Sequence, residues 1–171
     1  MFQSSQADQI KTELLRDVAV RLFDENTERI KKCLHKLSVQ QIWWRPNQNS
    51  NSIGNLILHL DGNVRQWILS GLNNQQDIRK RQMEFDHTEP LDHTALLSII
   101  DVLEFDIRDA LTRIKTEDLL KKHPVQVYEE TGISILIHVT EHFSYHTGQI
   151  AFITKMLLDE QVSFYAHVDL G

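Results

Sequence analysis

The sequence predicts an all-α fold, a four-helix bundle with a long loop between its second and third helices. Only three Pro and six Gly interrupt its 171 residues, and few segments alternate apolar and polar residues with a period of two. Long stretches instead repeat apolar residues with the 3.6-residue period of an amphipathic helix. This length suits one domain with a sizeable core and is short for two, so residues 1–171 are predicted to form a single domain.

The first two predicted helices are separated by a polar loop. Apolar residues at helical spacing run from about Ala7 to Leu37 and predict the first helix. Residues 38–51 break the pattern with Trp-Trp-Arg-Pro and an Asn/Gln/Ser cluster, which is typical of a loop. Ser52 is a suitable N-cap for the second helix, which is expected to end near Gly71.

A polar connection from Asn73 to Pro90 follows and shows no periodic apolar face. It is long for a bundle, and loops of this length are often lids, site edges or oligomer contacts. Asp92 is the predicted N-cap of the third helix, which spans His93 to Ile114.

The last third of the chain contains the fourth predicted helix. Residues 121–130 favour a short extended piece, because Val and Tyr side chains prefer strand geometry. Thr131 is expected to open the fourth helix, which reaches about Asp159. The apolar residues of the tail, 162–171, predict that it packs on the bundle.

Composition excludes several classes of partner and location. A net charge of −6 favours neither nucleic acid nor an anionic membrane surface. No apolar run approaches the ~20 residues that span a bilayer. The single cysteine, Cys33, excludes an intramolecular disulfide and fits a reducing compartment. The first residues lack a basic and an apolar region, so we expect a soluble, cytoplasmic protein rather than a secreted one.

Three histidines, His138, His142 and His146, recur at four-residue intervals in the fourth helix. Four residues advance a helix by about 400°, so the three side chains share one face with apolar, core-type residues. An imidazole in a helical core needs a hydrogen-bond partner or a metal, because an unpaired buried polar group costs about 1–3 kcal/mol. Two His at i and i+4 can bind one ion together with a ligand from elsewhere in the fold.

His59 is the candidate for that third ligand. It lies in the middle of the second helix, and bundle metal sites use side chains that converge from facing helices. Gly62, which is unfavourable inside a helix, suggests a close approach or a required gap nearby. His59, His142 and His146 would leave one coordination position open, which is the catalytic rather than the structural pattern.

At these residues the chain resembles the DinB/YfiT-like metal-dependent proteins. The resemblance rests on a lone His59 in helix two followed by Glu-His-Phe-Ser-Tyr-His-Thr-Gly-Gln-Ile at 141–150. The Gly-Asn-Val-Arg-Gln-Trp run at 62–67 and Trp-Trp-Arg-Pro at 43–46 strengthen it. It extends over roughly Leu14 to Leu158.

The resemblance implies an up-down-down-up bundle, a homodimer, and one divalent ion per chain, usually zinc or nickel, held by His59, His142 and His146. Characterised relatives include thiol S-transferases that use bacillithiol, a mycothiol-dependent maleylpyruvate isomerase and glutathione-using enzymes. Thr147 departs from the pattern, since relatives often carry Arg there, and this puts the charge on the substrate side in question.

Other polar residues near the candidate ligands are interpreted separately. His138 is expected to line the site or to hydrogen-bond a ligand, whereas Gln149 and Asn63 either orient ligands or are ordinary polar helix residues. Glu141 and Asp61 point away from the ligand face and are expected to be solvated or structural. The remaining side chains of interest are not expected to be ligands or catalytic groups: His35, His87, His93, His123, His167, Cys33, Tyr145, Trp43, Trp44 and Trp67.

The leading functional hypothesis is an enzyme that activates a low-molecular-weight thiol for S-transfer or thiol-assisted isomerisation, with an electrophile as second substrate. A metal-dependent hydrolase is the nearest competing hypothesis, but it needs a general base, and the sequence places no carboxylate on the His face. Two non-enzymatic hypotheses remain: a metal-binding stress or sensor protein without turnover, and a purely helical interaction module.

Overall fold

Four long helices dominate the fold, as the sequence predicts. The structure, a computed structural model, describes residues 5–164. The helices have these bounds: the first, Gln6–Ala19, Val20–Thr27 and Glu28–Lys36; the second, Ile53–Val64 and Arg65–Leu72; the third, His93–Thr112; the fourth, Gly132–Leu158. Short helical pieces lie at Val39–Ile42, Arg81–Asp86 and Thr116–Leu119, and the strands are Lys122–Val125 and Tyr128–Thr131.

The predicted N-caps of the last three bundle helices are confirmed. Ser52 Oγ accepts from the Asn55 N–H at 3.1 Å, and Asp92 Oδ1 accepts from the Ala95 N–H at 2.8 Å. Thr131 Oγ1 accepts from the backbone N–H of the third residue of the fourth helix at 3.2 Å. Each cap satisfies a backbone donor that has no partner within its helix, so these helix starts are determined locally.

Two helices contain a π-helical segment that the sequence did not predict, at Val20–Thr27 and Arg65–Leu72. In the first, the buried side chains of Asn26 and Thr27 donate to carbonyl oxygens five residues earlier, at 2.8 and 3.0 Å. Apolar periodicity does not reveal such bonds, because they depend on polar side chains inside an apolar helix. The helical axis nevertheless continues through both segments.

The second and third helices run in the same direction. Asn55, near the start of the second helix, donates to the carbonyls of Glu84 and His87 at 2.9 and 3.1 Å, so the connection returns to that end. The third helix begins there too, since His93 donates from Nε2 to Leu37 O at 2.7 Å. The fourth helix starts beside Gly71, at the opposite end. These contacts confirm the up-down-down-up order.

The connection between the second and third helices was predicted as a loop, and this is wrong over Arg81–Asp86, which forms a helix. Tertiary bonds hold it, since Arg45 donates to Phe85 O at 2.8 Å alongside the Asn55 bonds. The extended piece is confirmed as an antiparallel hairpin in which His123 pairs with Glu130. His123 is buried there and donates from Nε2 to Asp118 O.

The core fills the space between the four helices and reaches the start of the tail, where Val162 is buried. The prediction that the tail packs on the bundle is therefore confirmed for Val162 and Phe164, whereas residues 165–171, including His167, lie outside the described residues. Within residues 5–164, no helix has the length and apolarity that crossing a membrane requires.

Candidate metal centre

Three imidazoles from two helices converge in the middle of the bundle. His142 Nε2 lies 3.2 Å from His59 Nε2 and 3.2 Å from His146 Nε2, and the three nitrogens lie within 4.8 Å of one another. Nitrogen ligands ~2.1 Å from a tetrahedral ion stand roughly 3.4 Å apart. In the part of the chain that the structure describes, these histidines form the one group of His, Cys, Asp or Glu side chains placed to hold a metal ion.

The outer nitrogens of two of these rings are bonded to acceptors. His59 Nδ1 lies 2.8 Å from Glu84 Oε2, and His146 Nδ1 lies 2.7 Å from Gln149 Oε1. A carboxylate or amide oxygen accepts only from N–H, so both rings carry a proton on Nδ1, and each ring in its neutral form directs an Nε2 lone pair at the centre. The bond to Gln149 thus fixes the orientation of the His146 ring.

Glu84 is fixed in turn by Arg79. The Arg79 Nε and NH2 groups donate to the two Glu84 oxygens at 2.7 and 2.8 Å. Burial alone would raise the pKa of the Glu84 carboxyl, but the bonds from Arg79 and His59 outweigh it and hold that pKa below its ordinary value. Arg79 NH2 also lies 3.1 Å from His59 Nδ1. We assign the Nδ1 proton to the bond with Glu84, because that acceptor is anionic and closer.

Gly62 provides the space for this ion pair. A Cβ atom at Gly62 would overlap Glu84 Oε1 and lie 3.0 Å from Arg79 Nε. The sequence predicts a close approach or a gap at Gly62, and the structure shows that the helix Arg81–Asp86 packs there, with the Glu84–Arg79 pair in the space that a Cβ atom would fill.

His142, the central ring, is kept neutral by its surroundings. Burial, followed by repulsion from His146, His59 and His138, lowers its pKa to about 3. Burial also lowers the pKa of His146. The three Nε2 atoms around one point fit a divalent cation, which would accept a lone pair from each ring.

A cavity of about 370 Å³ opens beside the cluster, between the second and fourth helices. Its lining includes six side chains from these helices and from the hairpin: Asn63, Trp67, Tyr128, Glu130, His138 and His142. His138 lies in this wall and stacks on Trp67 with ring centroids 3.8 Å apart. Asn63 is buried at the same cavity, and its Oδ1 has no hydrogen-bond partner among the described residues.

Neighbouring residues make contacts that the sequence did not predict. Two carboxylates near the cluster come from elements other than the His face: Glu84 bonds a ring of the cluster, and Glu130 lines the cavity. The side chain of Tyr145 is exposed, and its hydroxyl accepts from Gln149. Thr147 is buried and donates to a carbonyl within its own helix.

The remaining residues behave as expected. Asp61 pairs with Arg65 at 2.8 Å, which is a structural role. Cys33 is buried in the core, and burial raises the pKa of its thiol, which opposes any catalytic use. Two features of the sequence could have indicated the role of Glu84: the unusual length of the connection between the second and third helices, and the glycine at position 62.

Comparisons with known proteins agree with this architecture. Residues 9–166 match the model of a family described as protein of unknown function, DUF1572. A DinB-like protein from Bacillus subtilis shares 15% identity and a TM-score of 0.65, over 85% of this chain and 94% of that one. A DinB-like protein from Bacillus cereus shares 16% identity and a TM-score of 0.65, over 84% and 93%.

A conserved protein from Enterococcus faecalis shares 15% identity and a TM-score of 0.67, over 92% of this chain and 100% of that one. At such identities these likenesses establish a DinB-like fold, which confirms the fold that the sequence motifs imply. No curated protein matches the sequence at a significant level.

Proposed function

The chain belongs to the DUF1572 family and has a DinB-like fold, and we propose that it is a metal-dependent enzyme that activates a low-molecular-weight thiol. The observation that best supports this proposal is the convergence of three Nε2 atoms, from His59, His142 and His146, beside an open cavity. The proposed reaction joins the thiol sulfur to an electrophilic carbon. The thiol gives up its proton, and a leaving group departs with its electron pair or the adduct isomerises.

The donor set supports one divalent ion, for which we propose zinc or nickel, because both accept imidazole nitrogen. A cation held by neutral imidazoles keeps its full charge and lowers the pKa of a thiol or water in the open position. Glu84 and Gln149 hold two of the rings in the required tautomer. The described residues offer no cysteine as a fourth ligand, since Cys33 is buried in the core.

The second candidate is a metal-dependent hydrolase, and one observation favours it. Glu130 lines the cavity together with His142, and its Oε2 accepts from Ser134 at 2.7 Å, whereas no bond to its Oε1 is found within residues 5–164. Its carboxylate is therefore a candidate general base. Glu84 is a weaker candidate, because Arg79 and His59 occupy both of its oxygens. A metal-binding stress or sensor protein without turnover is the third candidate.

Cobalt substitution with a panel of substrates tests these proposals. The d–d absorption of the cobalt protein is expected to shift when a small thiol is added, and thiol consumption with a panel of electrophiles is expected to stop when a chelator removes the metal. The hydrolase would be favoured by two results together: a cobalt spectrum that does not change when thiols are added, and metal-dependent ester or amide hydrolysis that is lost in the Glu130→Gln variant. Metal binding with neither activity would leave the sensor or stress role.

We also propose a homodimer in a reducing, cytoplasmic setting. The exposed apolar side chains on one stripe of the fourth helix support an interface: Ile137, Tyr145, Phe152 and Met156. The third helix adds Val102 and Phe105. Sedimentation equilibrium at micromolar concentration is expected to give twice the 20.0 kDa chain mass, and a 20.0 kDa species alone would reject the dimer.

A further inference from the structure

The side chain of Gln66 joins three separate segments of the chain beside the metal centre. Gln66 lies on the second helix one turn after Gly62, on the side that faces Arg79. Its Oε1 accepts from Arg79 Nη1 at 2.9 Å and from Gln126 Nε2 at 2.6 Å. Its Nε2 donates to Asp77 Oδ2 at 2.6 Å. The second helix, the connection that follows it and the turn of the hairpin therefore meet at one carboxamide.

Arg79 uses all three nitrogens of its guanidinium group. Its Nε and Nη2 donate to the two oxygens of Glu84 at 2.7 and 2.8 Å, and its Nη1 donates to Gln66. The Arg79 side chain is only 5% exposed, so water has little access to these donors. Two parallel bonds to one carboxylate still allow the ion pair to tilt as a unit. A bond from the third nitrogen to another helix removes that freedom.

Gln66 also holds the backbone of Arg79, through Asp77. One oxygen of the Asp77 carboxylate, Oδ2, accepts from Gln66, and the other, Oδ1, accepts from the Arg79 backbone N–H at 3.0 Å. Arg79 is thus held at its main chain and at the end of its side chain by the same carboxamide. From Arg79 the bonds continue to Glu84, and from Glu84 Oε2 to His59 Nδ1 at 2.8 Å.

Gln126 connects the hairpin turn to these bonds from a backbone position that favours glycine. Its φ is 54°, in the left-handed region that residues with a Cβ atom rarely adopt. A glycine would relieve that strain, but it would lose the bond from Gln126 Nε2 to Gln66. The backbone and the side-chain bond therefore have opposite preferences at this position, so an experiment can separate them.

We propose that Gln66 is a positioning residue of the metal centre: by holding Arg79 it fixes Glu84 and, through Glu84, the tautomer and orientation of His59. Gln126 extends this control to the hairpin, whose side chains line the cavity beside the cluster. Gln66 acts through two other side chains and is not itself a ligand. The proposal rests on the metal site of the proposed function and does not depend on the thiol reaction.

Imidazole nitrogen-15 NMR spectra of the metal-free protein test the effect on His59 directly. The wild type is expected to carry the His59 proton on Nδ1. Gln66→Met keeps the length of the side chain and removes both polar atoms, and it is expected to introduce the Nε2–H tautomer of His59. His146 is the control within the same molecule, because its Nδ1 bonds Gln149 instead, and its tautomer is expected to stay unchanged.

Zinc affinity, measured by competition with a chromophoric chelator, tests the consequence for the metal site. Gln66→Met is expected to weaken zinc binding about fivefold, which is less than the loss typical of a direct partner of a ligand. In a Glu84→Ala background the same substitution is expected to change the affinity by less than about twofold, because its connection to His59 is already broken. The matched control is Gln82→Met, which removes an exposed bond to Asp86 in the same connection and is expected to keep the wild-type affinity.

Gln126→Gly separates positioning from stability. The glycine suits the positive φ, so the thermal stability of the metal-free protein is expected to stay level or to rise. Zinc affinity is nevertheless expected to fall about twofold, because the bond to Gln66 is lost. If stability and zinc affinity fall together, the bond is structural and the hairpin has no part in positioning.

The positioning role of Gln66 is overturned if Gln66→Met leaves the His59 tautomer and the zinc affinity at their wild-type values, even if the variant is less stable. It is also overturned if Gln66→Met weakens zinc binding equally with and without Glu84. None of these measurements uses a thiol. A cobalt spectrum that does not respond to thiols would therefore reject the proposed function and leave the positioning role intact, and the reverse result is equally distinguishable.

Discussion

Glu84 Oε2 lies 2.8 Å from His59 Nδ1, although the two residues are 25 positions apart and belong to different helices. Arg79 holds the same carboxylate through two bonds. A carboxylate on the outer nitrogen of a ligand histidine fixes the tautomer and raises the basicity of the nitrogen that faces the metal. The connection between the second and third helices is therefore part of the candidate metal centre.

Replacing Glu84 is expected to weaken metal binding without removing a ligand. Glu84→Ala leaves His59 free to rotate or to change tautomer, and lost partners of this kind typically cost about 10–100-fold in metal affinity. Competition with a chromophoric zinc chelator measures the effect. The control is Glu141→Gln, an exposed carboxylate beside His142 in sequence, which is expected to keep the wild-type affinity. Equal affinities for all three proteins would contradict the role of Glu84.

Replacing His142 is expected to remove most of the bound metal. This ring supplies the nitrogen that lies 3.2 Å from both of the others, so its loss leaves two ligands on opposite helices. Elemental analysis after dialysis is the measurement, with His35→Ala, an exposed histidine, as control. A full metal equivalent in His142→Ala would show that the assignment is wrong.

Gly62→Ala is expected to act on the metal site from a distance. The added methyl group overlaps Glu84 Oε1, so it displaces the carboxylate and lowers metal affinity toward the Glu84→Ala value. Gly148→Ala is the matched control, because a methyl group there meets no described side chain within 4 Å. Both substitutions gain roughly 1 kcal/mol in helix propensity. The thermal stabilities of the two metal-free variants are therefore compared, and a smaller gain for Gly62→Ala than for Gly148→Ala reports the clash. Equal metal affinities in the two variants would exclude the clash.

The stability of the metal-free protein is expected to fall as pH drops below about 6.5. The pKa of His142 is lowered from 6.5 to about 3, so between these values the unfolded chain binds a proton that the folded chain does not. The stabilising contribution is complete above pH 6.5 and declines as pH falls from 6.5 toward 3. Denaturation in urea at several pH values, with chelator present, is the measurement. His142→Gln is expected to show a shallower decline, and parallel curves for the two proteins would refute the prediction.

The features that could be predicted from the sequence depend on local patterns. The caps at Ser52, Asp92 and Thr131 act within one turn of helix, and the spacing of His142 and His146 places both on one face wherever a helix forms. His59 required one further step, the expectation that helices two and four face each other. Long helices with clear apolar stripes made that step possible.

The features that were missed depend on tertiary contacts. The helix at Arg81–Asp86 is too short to be stable alone and is held by bonds from Asn55 and Arg45. Glu84 reaches His59 only because that helix docks beside Gly62. The π-helical segments were not predicted for a similar reason, because hydrogen bonds from side chains to carbonyl oxygens do not alter the apolar pattern of the sequence.

The separation of the ligands along the chain has a consequence for biosynthesis. His59 and His142 are 83 residues apart, and Glu84 and the third helix lie between them. A nascent chain that has emerged only through the third helix presents His59 and Glu84 but neither His142 nor His146. An ion held by all three imidazoles could therefore be loaded only after the fourth helix has left the ribosome and packed against the second. A truncated product that stops before residue 142 lacks two of the three imidazoles, whatever helices it has already formed.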